Sequence, residues 1–135
     1  PLICHLPGRS GGKAISWMLG VPGASACLLE ATVPYSAAAS NELMGGGPPK
    51  KRYCSPEVAE SLARAAYARA VGLCVAGSNR GTHAISDAGV IGVGCTAVVA
   101  SSKPKKGSHR CFVCAQTHDG ITHYQLFLAK GHRNR

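Results

Sequence analysis

The sequence predicts a single α/β domain, a three-layer sandwich with a mixed, mostly parallel sheet and a C-terminal antiparallel hairpin. Through the first two thirds of the chain, short apolar runs bounded by Pro, Gly and Ser alternate with helical patterns, as in proteins built around parallel strands. The last third differs, because the alternating segments His109–Thr117 and Ile121–Leu128 are joined by His118-Asp119-Gly120. Asp-Gly between two such segments is a strong hairpin signal, so we expect antiparallel strands there.

The length and composition fit one globular domain over residues 1–135. Hydrophobic residues make up 45% of the chain and 17 residues are glycine, which suits an α/β core and not a disordered chain. No apolar run approaches the ~18 residues of a membrane span, and no secretory signal opens the sequence. The seven cysteines therefore predict reduced thiols in a cytoplasmic protein. The chain starts at Pro1 without Met and stops at Arg135 just after a predicted strand, which leaves open that it is a fragment lacking a C-terminal helix.

Turn and cap signals define the first elements. Leu2–Leu6 is a predicted strand, and Ser10 is expected to cap a helix over Gly11–Leu19. Pro22-Gly23 forms a turn into Cys27–Val33, an apolar segment predicted to be a strand covered on both faces.

The middle of the chain is predicted to be mainly helical. Ser36 is a good N-cap for a short helix, and Ser55-Pro56 opens a long Ala-rich helix that ends near Leu73. The Gly-broken segment Val75–Ser86 is a predicted loop, and Ala88–Cys95 a second buried strand. The glycines of this strand indicate that something packs closely against its backbone.

The net charge of +9 is concentrated in three segments, which are Lys50–Arg52, Lys103–Arg110 and Lys130–Arg135. Solvated loops account for such segments, and the functional alternatives are a pocket for a phosphate-bearing ligand or a nucleic-acid surface. The chain has two Phe, four Tyr and one Trp, none set in a basic-aromatic pattern, which argues against nucleic acid.

Four motifs follow one another in an order that resembles a known family. They are SGG at residues 10–12, PGASACLLEATVPYS at 22–36, GVGCT at 92–96 and SKPKKGSHR at 102–110. Together they resemble the CinA C-terminal domain, the family of nicotinamide-nucleotide amidohydrolases. The match is best to a eukaryotic branch in which a CinA-like domain accompanies a nucleotidyltransferase-like domain. The resemblance implies such a fused or associated partner domain. We also expect that the protein forms a homo-oligomer, needs no cofactor and does not bind a membrane.

The amidohydrolase mechanism that the resemblance implies needs a serine nucleophile, a lysine base and a loop hydroxyl. Alignment on the shared motifs puts Gly8, Ser40 and Val93 at these positions. Because glycine cannot attack a carbonyl and serine cannot replace lysine as a base, we expect the catalytic machinery to have lapsed. The expected ligand-binding residues are Ser10, Gly11, Gly12, Tyr35, Ser36, Lys105 and Arg110.

The sequence therefore predicts a nucleotide- or phosphate-binding or regulatory module. The rival class is a working amidohydrolase on nicotinamide mononucleotide or a related amide, using substitute groups, and the third is a purely structural or oligomerising domain. Ser10 and Lys13 have the S-x-x-K spacing that places a serine and a lysine on one helix face, so they are weak catalytic candidates.

An anion site is predicted between the start of the Ser10 helix and the Lys103–Arg110 loop. The helix start presents free N–H groups, and the loop should leave the sheet at the same edge. Arg110, with Arg9, is expected to hold the anion.

Cys111 and Cys114, with three histidines nearby, suggest a metal site. Residues three apart in a strand point to opposite faces, however, so we predict that these two thiols are reduced and hold no metal.

Overall fold

The structure is a computed structural model. It describes residues 1–47, 49, 52–78, 89–99 and 107–129, and at residues 9, 10, 77 and 78 only the backbone. Its strands are β1 (Leu2–His5), β2 (Leu28–Thr32), β3 (Ile91–Val98), β4 (His109–Thr117) and β5 (Gly120–Leu128). Its α-helices are α1 (Arg9–Leu19), α2 (Ala37–Leu43) and α3 (Pro56–Ser78), and a 3-10 turn covers Ala24–Ala26. Among these helices, none is long and apolar enough to cross a membrane.

The five strands form one mixed sheet in the order β2-β1-β3-β4-β5. β2 and β3 both run parallel to β1, whereas β3, β4 and β5 are successively antiparallel. The hairpin between β4 and β5 turns at His118-Asp119, and Gly120 supplies the φ of 144° that the turn requires. The predicted fold class, including the C-terminal hairpin, is confirmed.

Helices cover both faces of the sheet. Ile3 of β1 lies in a buried cluster with Ala66 and Ala70 of α3. The next residue, Cys4, points to the opposite face, where its Sγ lies 4.0 Å from the Sδ of Met18 in α1. The sheet is therefore the middle of three layers, with α3 on one face and α1 on the other.

The contact between α3 and β3 is unusually close. A Cβ on Gly92 would overlap the backbone at Ala63 and Tyr67, and a Cβ on Gly94 would overlap the carbonyl of Ala59. Because both strand positions lack side chains, the helix backbone lies directly on the sheet. The predicted close approach to this glycine-rich strand is confirmed.

Two helix boundaries differ from the prediction. α1 begins at Arg9, its N-cap is Gly8 with φ 87°, and no side chain caps it, so the predicted cap at Ser10 is wrong. α3 runs to Ser78 instead of ending near Leu73, because Cys74 is still buried in the cluster around Ile3. By contrast, the caps at Ser36 and Ser55 are confirmed, since their Oγ atoms accept hydrogen bonds from Ala39 N and Val58 N.

Two predicted strands also need correction. β3 covers Ile91–Val98 instead of Ala88–Cys95, because pairing with β4 extends it as far as Val98, which lies opposite Arg110. β2 was predicted to be covered on both faces, but it is the last strand on its side of the described sheet and Leu29 is 41% exposed. An edge strand does not need two covered faces.

Candidate functional site

A cavity of about 530 Å³ lies where the three parallel strands end. Its wall takes residues from the segments that follow β1 and β2, from the last part of β3, and from the segments before α3 and at the start of β4. The residues used in the argument below are Gly8, Ser36, Ser40, Cys54, Thr96 and Arg110. In sheets with parallel strands the carboxyl ends are the usual place for a ligand, so this cavity is the candidate site.

Arg110 is the main charged group of the cavity wall. Its guanidinium carbon lies 5.8 Å from the centre of the Phe112 ring, which supports one side of the group. Its Nε is buried and has no hydrogen-bond partner in the part of the chain that the structure describes. Arg52 adds a second, exposed positive charge to the wall. The structure thus places Arg110 in the cavity, whereas Lys105 lies outside the described residues.

The start of α1 reaches the cavity through Gly8 and not through the two glycines of the SGG motif. Gly8 lies in the wall and leaves open space around its α-carbon. A Cβ on Gly11 would overlap the Leu6 carbonyl, so this glycine is needed for packing of α1 on β1. Gly12 is exposed and is not part of the wall. Neither Gly11 nor Gly12 belongs to the wall of this cavity, and their assignment to a binding site stays a prediction.

No contact in the described part of the chain joins Ser10 to Lys13, the two residues of the predicted dyad. The side chain of Ser10 lies outside the described residues, as does that of Arg9. The Nζ of Lys13 lies 5.8 Å from the centre of the exposed Trp17 ring, one helical turn along α1. This contact accounts for the position of the lysine without a catalytic role.

The segment after β2 brings Tyr35, Ser36 and Ser40 into the wall, and ligand binding by the first two stays a prediction. Ser36 Oγ is used by the cap of α2, and Tyr35 is 66% exposed. Ser40 is buried, and its Oγ donates a hydrogen bond of 3.3 Å to the carbonyl of Pro34. The position that the resemblance assigns to a lysine base is thus filled by a hydroxyl that holds the local backbone.

Two polar groups in the wall were missed by the sequence analysis. Thr96 lies near the end of β3 and donates its Oγ1 to the carbonyl of Ser55 at 3.3 Å. Val93, aligned with a loop hydroxyl, instead lies inside β3 opposite Cys4 and Ala115. Had β3 been placed correctly, its final threonine would have been found at the cavity.

The second missed group is the thiol of Cys54, which also belongs to the wall. Its Sγ lies 3.9 Å from the carbonyl oxygen of Arg110, so the thiol and the arginine share one end of the cavity. Nothing in the local sequence signals this placement, because residues 54 and 110 come together only through the packing of α3 on β4.

The predicted arrangement of Cys111 and Cys114 is confirmed. Cys114 is fully buried in a cluster with Ala59 and Ala63 of α3, whereas Cys111 contacts Cys95 on the opposite face of the sheet. Across the described residues, no three His, Cys, Asp or Glu side chains lie close enough together to hold a metal ion.

Solved structures of three bacterial proteins are similar to this chain in fold. The competence/damage inducible protein CihA from Agrobacterium tumefaciens has a TM-score of 0.66 at 15% sequence identity, over 92% of this chain and 68% of that one. A CinA superfamily protein from Enterobacter cloacae gives a TM-score of 0.64 at 9% identity, over 94% and 68% of the two chains. A CinA superfamily protein from Escherichia coli gives 0.62 at 12% identity, over 94% and 67%.

The chain has a CinA-like fold. Neither a protein-family model nor a curated protein matches the sequence. The SGG, PGAS and YS motifs of this CinA-like domain lie at the start of α1, the turn before β2 and the start of α2.

Proposed function

We propose that this CinA-like domain binds a nucleotide or another phosphate-bearing small molecule in the 530 Å³ cavity and does not hydrolyse it. The observation that carries the proposal is Arg110, which lines the cavity and whose buried Nε has no partner in the described part of the chain. A buried N–H without a partner costs free energy. Phosphate oxygens accept hydrogen bonds from a guanidinium in the planar geometry that arginine offers.

The start of α1 supports the same ligand class. The first N–H groups of a helix have no partner within the helix and carry the positive end of its dipole. Since Gly8 leaves open space in the wall, an anion can approach these groups closely. The helix start, Arg110 and Arg52 all favour negative charge in one cavity.

The lack of turnover follows from the groups present at the inferred catalytic positions. Gly8 has no side chain, and the hydroxyl of Ser40 is engaged with the Pro34 carbonyl. Removal of either a nucleophile or its base already lowers the rate of such enzymes by several orders of magnitude. We therefore expect binding without release of ammonia.

A second candidate is a working amidohydrolase on nicotinamide mononucleotide or a related amide. The observation that favours it is the Cys54 thiol, a nucleophile by residue type, at the same end of the cavity as Arg110. Ammonia release above ~1 s⁻¹, the low end of ordinary enzymes, that is lost in Cys54→Ser would favour this candidate over simple binding.

The sequence resemblance supports a wider proposal about where the domain works. We propose that it acts in the cytoplasm as a regulatory module beside a nucleotidyltransferase-like domain, and that it forms a homo-oligomer. The nucleotide handled by such a partner domain would be the natural ligand of the cavity. This arrangement is tested by measuring the native mass of the protein purified from its source together with any chains bound to it. The mass should correspond to several copies of this domain, each with the partner domain.

The binding proposal is tested by titration of the purified chain with nicotinamide mononucleotide, inorganic phosphate and the matching nucleoside without phosphate. The first two should raise the melting temperature and the third should not. Arg110→Ala should weaken nicotinamide mononucleotide binding about 10- to 100-fold, since a charge-assisted hydrogen bond contributes about 1.5–3 kcal/mol.

Arg64→Ala is the matched control for this titration. Arg64 lies on α3 outside the cavity wall and pairs with Glu60 at 2.9 Å, so this variant removes the same charge and should bind as the parent does. Absence of any effect of phosphate-bearing compounds on the parent, or equal binding by Arg110→Ala, would overturn the proposal.

A further inference from the structure

Two cysteine thiols contact each other on the face of the sheet that α3 does not cover. The Sγ atoms of Cys95 in β3 and Cys111 in β4 are 3.5 Å apart. Cys95 lies opposite Val113 and Cys111 opposite Ala97, so the two cysteines are diagonal neighbours on adjacent antiparallel strands.

The face of the sheet on which each cysteine lies follows from the alternation of side chains along its strand. Gly94 of β3 and Cys114 of β4 face α3, and residues an odd number of positions away point to the other face. Cys95 and Cys111 therefore share that other face, away from the tightly packed layer. Both thiols are half-buried, in contrast to the fully buried Cys114.

The contact makes the two thiols chemically different. The hydrogen bond between the two thiols lowers the pKa of Cys111 from its ordinary value, although burial acts in the opposite direction. The same hydrogen bond, together with burial, raises the pKa of Cys95. Since the thiolate is the reactive form of cysteine, Cys111 is the sulfur that an oxidant attacks first, and Cys95 is the neighbour able to complete a bond to it.

We infer that Cys95 and Cys111 are an oxidation site at which hydrogen peroxide produces a reversible disulfide between β3 and β4. The Cys111 thiolate attacks one peroxide oxygen and the O–O bond breaks, which gives a Cys111 sulfenic acid and hydroxide. The sulfur of Cys95 then attacks the Cys111 sulfur, the S–O bond breaks, and the Cys95 proton leaves with the hydroxyl as water. The hydroxide takes up the proton released when Cys111 ionised. Overall, the two thiols lose two electrons and two protons, and one peroxide becomes two waters.

The bond requires the strands as well as the sulfur atoms to move closer, because diagonal neighbours on antiparallel strands have Cα atoms about 7–8 Å apart and a disulfide usually spans about 4.4–6.8 Å. A disulfide has an S–S distance of about 2.05 Å, so the sulfur atoms must approach by about 1.5 Å from their present separation of 3.5 Å. Cys114 faces α3 on the other side of the sheet, and Cys4, which shares a face with Cys95, has its Sγ against the Sδ of Met18. The inference therefore specifies one pair among the seven cysteines.

The experiment uses the full chain, treated with hydrogen peroxide under native conditions and then blocked with an alkylating reagent. The intact mass, measured before the alkylation step, should fall by two hydrogen atoms, and a reducing agent should restore it. Trypsin cleaves after Arg110, which puts Cys95 and Cys111 on separate peptides and leaves Cys111 and Cys114 on the same one. Fragmentation of the cross-linked peptides should place the bond between Cys95 and Cys111.

Three variants complete the test. Cys95→Ser and Cys111→Ser should each reduce the internal cross-link at least about tenfold, and Cys27→Ser, at an exposed site, should leave it unchanged. The peptide map of the parent decides the matter even if a variant fails to fold. A folded parent in which Cys95 and Cys111 remain unlinked, or in which Cys111 is linked to a different cysteine, would overturn the inference.

Discussion

The sheet borders two contrasting environments, the helix α3 on one face and the cavity at the ends of its parallel strands. Against α3 the contact is made by residues with little or no side chain, with Gly92 and Gly94 facing Ala59 and Ala63. The cavity wall, by contrast, includes polar and charged side chains among its apolar ones, and the Nε of Arg110 has no partner in the described chain. The difference separates residues that build the domain from residues free to bind, although Gly92, Gly94 and Arg110 all lie within the motifs that resemble one family.

The largest effect is expected from a substitution at the close contact. Gly94→Ala places a methyl group against the Ala59 carbonyl, so the helix must move away from the sheet. Overpacking of this kind costs about 3 kcal/mol, and the free energy of unfolding, measured in urea, should fall by that amount.

Gly12→Ala is the control for this substitution. Gly12 lies in α1 with no atom near the added methyl group, so the variant should be up to about 1 kcal/mol more stable than the parent through helix propensity. Equal stability of Gly94→Ala and the parent would mean that α3 does not lie directly on β3.

A smaller effect is expected at the cavity. Ser40→Ala removes the hydrogen bond to the Pro34 carbonyl and should lower the free energy of unfolding by about 1 kcal/mol. Ligand affinity should stay the same, because this hydroxyl is engaged with backbone. A Ser40→Ala variant with normal stability but much weaker binding would show that Ser40 contacts the ligand, and the assignment of this serine to the structural set would be wrong.

The smallest effect on the free energy of unfolding at neutral pH is expected from substitution of His5. This effect grows as the solution becomes acidic. His5 is buried, and burial is the main cause that lowers its pKa from the ordinary 6.5. The negative charge of Glu30 raises this pKa, and the positive charge of Arg69 lowers it. Because the unfolded chain takes up the proton first, stability is fully present above pH 6.5 and is lost as the pH falls through the lowered pKa.

The measurement is the free energy of unfolding from pH 7 to pH 5, in the parent and in His5→Leu. The variant should show a shallower loss of stability over this range, and the exposed-site control His118→Asn should keep the slope of the parent. A slope unchanged in His5→Leu would assign the acid sensitivity to other groups.

Features decided by neighbouring residues could be predicted from the sequence. The hairpin at Asp119-Gly120 and the helix caps at Ser36 and Ser55 depend on one turn of backbone each, and the structure confirms all three. The strand glycines at 92 and 94 were also a sufficient signal for a close contact.

Features decided by distant contacts could not be predicted. α1 starts at Arg9 instead of after Ser10 because Gly11 must fit against Leu6, and β3 extends to Val98 because β4 pairs with it. The cavity wall depends on the same long-range packing, which explains why Arg110 was predicted from its motif whereas Cys54 and Thr96 were missed.

The close contact between α3 and β3 also limits how the sequence can evolve. Any residue larger than glycine at position 94 requires the backbone at Ala59 to withdraw, and that movement would open a gap beside Phe112, which lies in the same cluster. Changes at these positions can therefore become established only in combination. Among homologues of this chain, we expect sequence variation to be wide over the exposed face of α3 and coupled between positions 59, 63, 92 and 94.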